Sequence, residues 1–158
     1  MTAEQLAQAF IAKRGYVPQT VSEAMPLTTA CDAVLTRADG MNFSIICIVD
    51  AENAASKRFD VRKEVAKEIL AACCDRYTGM VTGTKQPAVL VVIEVRAAVN
   101  EDDVNRLRGY SNRFFDRNVI HAFLVDRSAK TVVTATRFSF LAGWGWRRFL
   151  QREVASSS

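Results

Sequence analysis

The sequence has little of what usually announces a function. No apolar run approaches the roughly 18–20 residues that span a bilayer; the longest, 43–49 and 88–93, have the length of buried strands. The opening residues Met1-Thr2-Ala3-Glu4-Gln5 carry neither the basic nor the apolar region of a secretory signal. There are four cysteines, no Cys-x-x-Cys pair and a single histidine, His121. Zinc sites are usually built on closely spaced Cys-x-x-Cys or His pairs, and with neither present no metal site is expected. Cys31, Cys47, Cys73 and Cys74 read instead as free thiols of a reducing, cytosolic compartment. No G-x-G-x-x-G follows a strand, and there is no Walker loop and no G-x-S-x-G elbow. Thr82-Gly83-Thr84-Lys85 resembles the end of a phosphate loop, but the earlier glycine is missing and Pro87 and a strand follow where a helix should start. No cofactor is expected.

What is there is an ordinary domain-sized chain. Its 158 residues are 49% hydrophobic and 24% charged, enough to bury a core without a disulfide or metal staple. The net charge of +4 is unevenly spread. Residues 1–95 hold ten Lys/Arg against eleven Asp/Glu, whereas residues 96–152 hold eleven against five, and ten of those eleven bases are arginine. A basic second half points to an anionic partner: nucleic acid, a lipid surface or an acidic protein.

Periodicity predicts the elements. Thr2 and Gln5 form a capping box ahead of Leu6, Phe10 and Ile11, and Gly15 closes that helix. Residues 16–29 read as a connector. Residues 32–36 and 43–49 flank Asp39-Gly40, a hairpin signal. The second of these runs and 88–93, within a strand expected over 88–95, are apolar on both faces, which predicts adjacent central strands covered from two sides. Between them Val61, Val65, Ile69, Cys73 and Tyr77 fall at helical spacing. Asn100 caps a third helix, and 119–125 and 131–136 form a second hairpin around 126–130. The expected fold is α/β in the order α-β-β-α-β-α-β-β, with a mixed sheet of about five strands and helices on its faces. Residues 1–136 would form one domain. Residues 137–158 would be a basic, aromatic C-terminal segment, its helix interrupted by Gly143 and Gly145, ending in a disordered serine tail.

Three groups of residues compete for a role. Glu94-Val95-Arg96 ends a strand in the manner of the Glu-x-Lys of PD-(D/E)xK nucleases, with Asp32 or Asp50 as a second carboxylate for Mg²⁺. Arg96 stands where that chemistry wants lysine, and arginine stays protonated, so the favoured reading is a strand-end carboxylate paired with an arginine. Arg106, Arg108, Arg113 and Arg117 form either a phosphate-binding strip or a solvated helix face. The third group is the 137–152 segment. Trp144, Trp146, Arg147, Arg148 and Arg152 combine indoles with guanidinium groups, the residue types of headgroup regions and binding hot spots. The competing reading is that these aromatics finish the core. His121, inside a strand with Val119, Phe123 and Val125 on its face, reads as a packed histidine.

Asp32-Ala33-Val34-Leu35-Thr36-Arg37-Ala38-Asp39-Gly40, Ile46-Cys47-Ile48-Val49-Asp50, Tyr77-Thr78-Gly79 and Val92-Ile93-Glu94-Val95 together resemble the soluble N-terminal domain that precedes the membrane part of some bacterial rhomboid-family proteins, over about residues 32–95. The resemblance implies a cytosolic accessory domain at the inner face of a membrane, with the arginine–tryptophan segment juxtamembrane. The serine–histidine pair of that family lies in membrane helices, so no catalytic residue carries over. The leading expectation is therefore a non-enzymatic interaction domain whose partner is a protein or an anionic membrane surface. The alternative is a divergent Mg²⁺-dependent nuclease, or an inactive relative that still binds nucleic acid.

Overall fold

The computed structural model describes residues 1–19, 31–39, 42–52, 88–108, 119–134 and 143–157. Among them are nine elements: α1 (Ala3–Arg14), β1 (Val17–Pro18), β2 (Ala33–Asp39), β3 (Asn42–Asp50), β4 (Ala88–Arg96), α2 (Glu101–Arg108), β5 (Val119–Asp126), β6 (Thr131–Thr134) and α3 (Trp144–Ser156). The helix expected over 61–77 and the Thr82–Lys85 segment lie outside the described residues.

The sheet has six strands in sequence order, β1-β2-β3-β4-β5-β6. The inner strands β3, β4 and β5 are parallel, and each outer pairing is antiparallel. The sixth strand beyond the expected five is β1, two residues of the stretch read as a connector, paired with Thr36 and Leu35. As the doubly apolar runs required, β3 and β4 are adjacent and central, with Ile45, Ile46, Ile48, Leu90, Val91 and Ile93 fully buried.

Strand alternation sorts the side chains into two layers. Leu35, Ile46, Ile48, Val91, Ile93, Val95, Phe123 and Val125 face α1 and α3, whose Leu6, Phe10, Phe149, Leu150 and Val154 complete that core. Ala122 and Leu124 face Leu107 of α2 on the other side. The N-terminal capping box of α1 forms as expected, Thr2 Oγ1 accepting from the Gln5 amide at 3.2 Å and Gln5 Oε1 from the Thr2 amide at 2.8 Å. Gly15 ends the helix at φ +67°, a left-handed conformation suited to glycine.

The C-terminal segment departs from expectation. Trp144–Ser156 is one continuous helix, so Gly145 does not interrupt it and Ser156 belongs to its last turn. Gly145 is on the exposed side with no atom near the position of a Cβ. The helix is held by burial of Phe149, Leu150 and Val154, which outweighs the roughly 1 kcal/mol that a glycine costs there. Cys31 and Cys47 are buried free thiols; Cys73 and Cys74 lie outside the described residues. No helix among the described residues is long and apolar enough to cross a membrane.

Candidate functional site

Because β3, β4 and β5 run parallel, their carboxyl ends emerge at one edge of the sheet, the place where open α/β sheets present ligand-binding groups. Asp50 ends β3, Glu94 and Arg96 end β4, and Asp126 ends β5. All three carboxylates are almost fully buried. A buried carboxylate must be paired or well hydrogen-bonded, and each of these is.

Glu94 faces α2. Arg106 Nη2 donates to both of its oxygens at 2.8 Å, and Arg96 Nη1 donates to its Oε1 as well. Arg96 Nε lies 3.1 Å from Asp103 Oδ2, and Asp103 Oδ1 lies 3.7 Å from Arg106. Asp103 also belongs to the helix start, where Asn100 Oδ1 accepts from the Asp103 amide at 2.9 Å. Two carboxylates and two guanidinium groups thus form one closed cluster between β4 and α2. Arg106, expected on a phosphate strip or a solvated face, turns inward to the cluster. The side chain of Arg108, and Arg113 and Arg117, lie outside the described residues.

Asp50 belongs to a different arrangement. It pairs in register with Val95 while Glu94 pairs with Val49, so alternation puts Asp50 and Glu94 on opposite faces of the sheet. Asp50 Oδ1 accepts from Arg127 Nη2 and from the Glu52 amide. Asp32, just before β2, accepts from the Asp50 amide through Oδ2 at 2.7 Å. Asp32 and Asp50 are therefore neighbours, but Asp50 and Glu94 are not brought together. Among the described residues no group of three or more His, Cys, Asp or Glu side chains is arranged to hold a metal ion.

Asp126 organises the β5–β6 turn. It accepts from the amides of Val99 and Ala129 at 2.9 and 2.8 Å and from Ser128 Oγ at 2.8 Å. Burial alone raises its pKa, but the bonds from Ala129, Val99 and Ser128 outweigh that and hold the carboxyl below the usual aspartate range. The sequence signal for this role was the Asp-x-Ser pattern opening a hairpin turn. Nothing in the local sequence pointed to Arg106 as a partner of Glu94, to Arg127 as the partner of Asp50, or to Asp103 as the second acid that Arg96 and Arg106 share.

The second candidate is the outward face of α3. The helix splits the residues that the sequence grouped together. Trp146 is half-buried, its Nε1 donating to Tyr16 Oη at 3.3 Å. Trp144 is 51% exposed, with the Arg148 guanidinium 5.0 Å from its ring centroid. Arg147, Arg148 and Arg152 are exposed beside it. The one acid of the helix, Glu153, is bonded at 2.8 Å to Lys13 of α1, which leaves the outward face basic. Compared with known proteins, the chain matches no family model, no curated protein and no solved structure.

Proposed function

We propose that this chain is a non-enzymatic accessory domain of the cytosol that lies against an anionic membrane surface through the outward face of α3. The observation that carries the reading is Trp144, a large indole left half in solvent and flanked by Arg147, Arg148 and Arg152 on a helix whose only acid is already neutralised. Indole and guanidinium together suit the headgroup region, where the ring enters the interface and the cations meet phosphate. The resemblance of residues 32–95 to the domain preceding some rhomboid-family membrane proteins supports the same placement. The arginine-bound state of Glu94 and Asp50 supports a structural use of the carboxylates that a nuclease would need for Mg²⁺.

The magnitudes set what to expect. Each arginine near an anionic surface contributes about 1 kcal/mol at low salt, so the three together give about 3 kcal/mol. That alone is weaker than millimolar binding, and insertion of Trp144 must supply the rest. The chain should co-sediment with phosphatidylserine-containing vesicles and not with neutral phosphatidylcholine vesicles, and less so as salt rises. Arg147→Glu with Arg148→Glu should abolish sedimentation, and Trp144→Ala should weaken it while changing stability by no more than about 0.5 kcal/mol, as for other exposed positions. A wild-type chain that stays in the supernatant at low salt, or a double charge reversal that sediments like wild type, refutes the proposal.

A further inference from the structure

His121, on the fifth of the six strands, lies on the sheet face that carries α1 and α3 and ends a cross-strand row with Leu35, Ile46 and Val91 among the described residues. It is 2% exposed, and neither ring nitrogen has a hydrogen-bond partner among the described residues. Its ring packs on the indole of Trp146, the centroids 5.5 Å apart and the planes tilted by 37°. Such a site accepts a neutral imidazole and resists an imidazolium, which would bring a charge and two N–H donors with nothing to receive them.

The charged groups on this face do not relieve that. Arg14 of α1 donates to the Gly145 carbonyl at 3.0 Å and lies over Phe149. Arg37 of β2 donates to the Arg14 carbonyl at 2.8 Å and lies over the ring of Tyr16, whose hydroxyl is bonded to Trp146. Lys13 and Glu153 are paired with each other, and Asp50 of β3, four residues along the strand from Ile46, is paired with Arg127. Neither β4 nor β6 puts an ionisable side chain on this face among the described residues, and Arg147, Arg148 and Arg152 of α3 are exposed. Among the described residues Glu4, in the first turn of α1, is exposed and the buried carboxylate on this face is already paired, so a proton on His121 would add to a cationic neighbourhood.

We infer that His121 is an acid-operated latch on α3: protonation of its ring drives Trp146 and the first turn of the helix off the sheet. The helix is built to open at that end. Its N-cap, Gly143, supplies no side-chain bond, and the first turn is held by the Arg14–Gly145 and Trp146–Tyr16 hydrogen bonds. The far half is anchored by fully buried Leu150 and Val154. Release would present Trp146 beside Trp144 and the arginines, so acid would strengthen contact with an anionic membrane; this consequence rests on the function proposed above, whereas the latch itself does not.

The direction follows from linkage. Burial lowers the imidazole pKa in the docked state, so the docked state binds fewer protons than the released one. Docking is complete above the ordinary histidine range, near about 6.5, and weakens as pH falls below it.

The chain has one histidine and two tryptophans, which makes the test clean. In a Trp144→Phe background Trp146 is the sole tryptophan, and excitation beyond the tyrosine absorption band isolates its emission. Its emission should shift to the red on acidification, with the same midpoint as the single imidazole resonance followed by NMR, at a pH below the ordinary histidine value. His121→Phe should lose the shift. An imidazole that titrates at or above its ordinary value, a Trp146 signal that ignores its titration, or an unchanged transition in His121→Phe overturns the latch. If His121→Phe fails to fold, coincidence or separation of the two midpoints in the His121-containing protein decides alone. Phosphatidylserine vesicles are then added to the wild-type chain at each pH. A Trp146 transition without any gain in sedimentation leaves the latch standing and refutes the acid-strengthened contact, and no sedimentation at any pH refutes the membrane reading.

Discussion

Replacing Ile46 by aspartate should abolish cooperative folding. Ile46 is fully buried in the third of six strands, between Leu35 of β2 and Val91 of β4, under the layer formed with α1 and α3. Three losses combine. Removing the branched side chain from a packed core costs about 2–5 kcal/mol. Keeping the new carboxyl neutral at pH 7, some 3 units above its ordinary pKa, costs about 4 kcal/mol. Burying the neutral acid without a hydrogen-bond partner costs about 1–3 kcal/mol more. The total is on the order of 10 kcal/mol, comparable with the entire stability of a typical domain, about 5–15 kcal/mol. Ile46→Val, which removes one methylene, should cost only about 0.5–1.5 kcal/mol. Circular dichroism melts check both: no sigmoidal transition for the aspartate variant and a slightly lowered one for valine. A soluble Ile46→Asp protein that melts cooperatively would mean that this strand is not central.

The sheet was legible because its evidence is local. Seven consecutive apolar-leaning residues at 43–49 and a similar run at 88–93 leave no polar face to turn to water, and a strand with two buried faces belongs in the middle of a covered sheet. The capping box at Thr2 and the stop at Gly15 likewise lie within a few residues of the helix ends they set. The α3 helix was harder, since Gly143 and Gly145 are local signals against it and the forces for it are tertiary: Phe149 packs on Phe10, with ring centroids 4.6 Å apart, and Glu153 bonds Lys13 across 140 positions of sequence. The carboxyl-end site was half legible. A strand-end glutamate paired with arginine was the favoured reading of Glu94-Val95-Arg96, and Arg96 is one of its partners. The other partner, Arg106, sits on α2, and its spacing relative to Arg113 suggested an outward strip; which face of a short polar helix turns inward depends on where that helix lands on the sheet, and the sequence does not carry that. Asp50 and Glu94 could be assigned to opposite faces only once the β3–β4 register was known, because a shift of one residue exchanges the faces.

The Glu94 cluster gives the second large effect. Glu94 and Asp103 are 3% and 2% exposed, while the side chains of Arg96 and Arg106 keep 12% and 24% of their surface in solvent. Breaking a buried ion pair from one side costs about 3–5 kcal/mol, and the access of both guanidinium groups to water points to the lower end. Glu94→Gln should therefore lose about 3 kcal/mol, a fall in Tm of about 6–12 °C for a chain of this size. The loss arises because Arg96 and Arg106 would share only Asp103. Arg106→Gln should cost a similar amount, because Glu94 would keep one cation where it had two. The double variant Glu94→Gln/Arg106→Gln restores charge balance and can keep an amide–amide hydrogen bond, so it should be destabilised by clearly less than the sum of the singles, the coupling expected of residues in contact. Additive losses across the cycle would show that the two side chains do not act as a pair. The same proteins answer the catalytic alternative. With both oxygens of Glu94 engaged by Arg106 and with Asp50 on the other face, the wild-type chain should not cleave DNA or RNA in Mg²⁺. Cleavage that is present in the wild type and lost in Glu94→Gln, at a temperature where both are folded, would make Glu94 a catalytic ligand and replace the structural account with a nuclease.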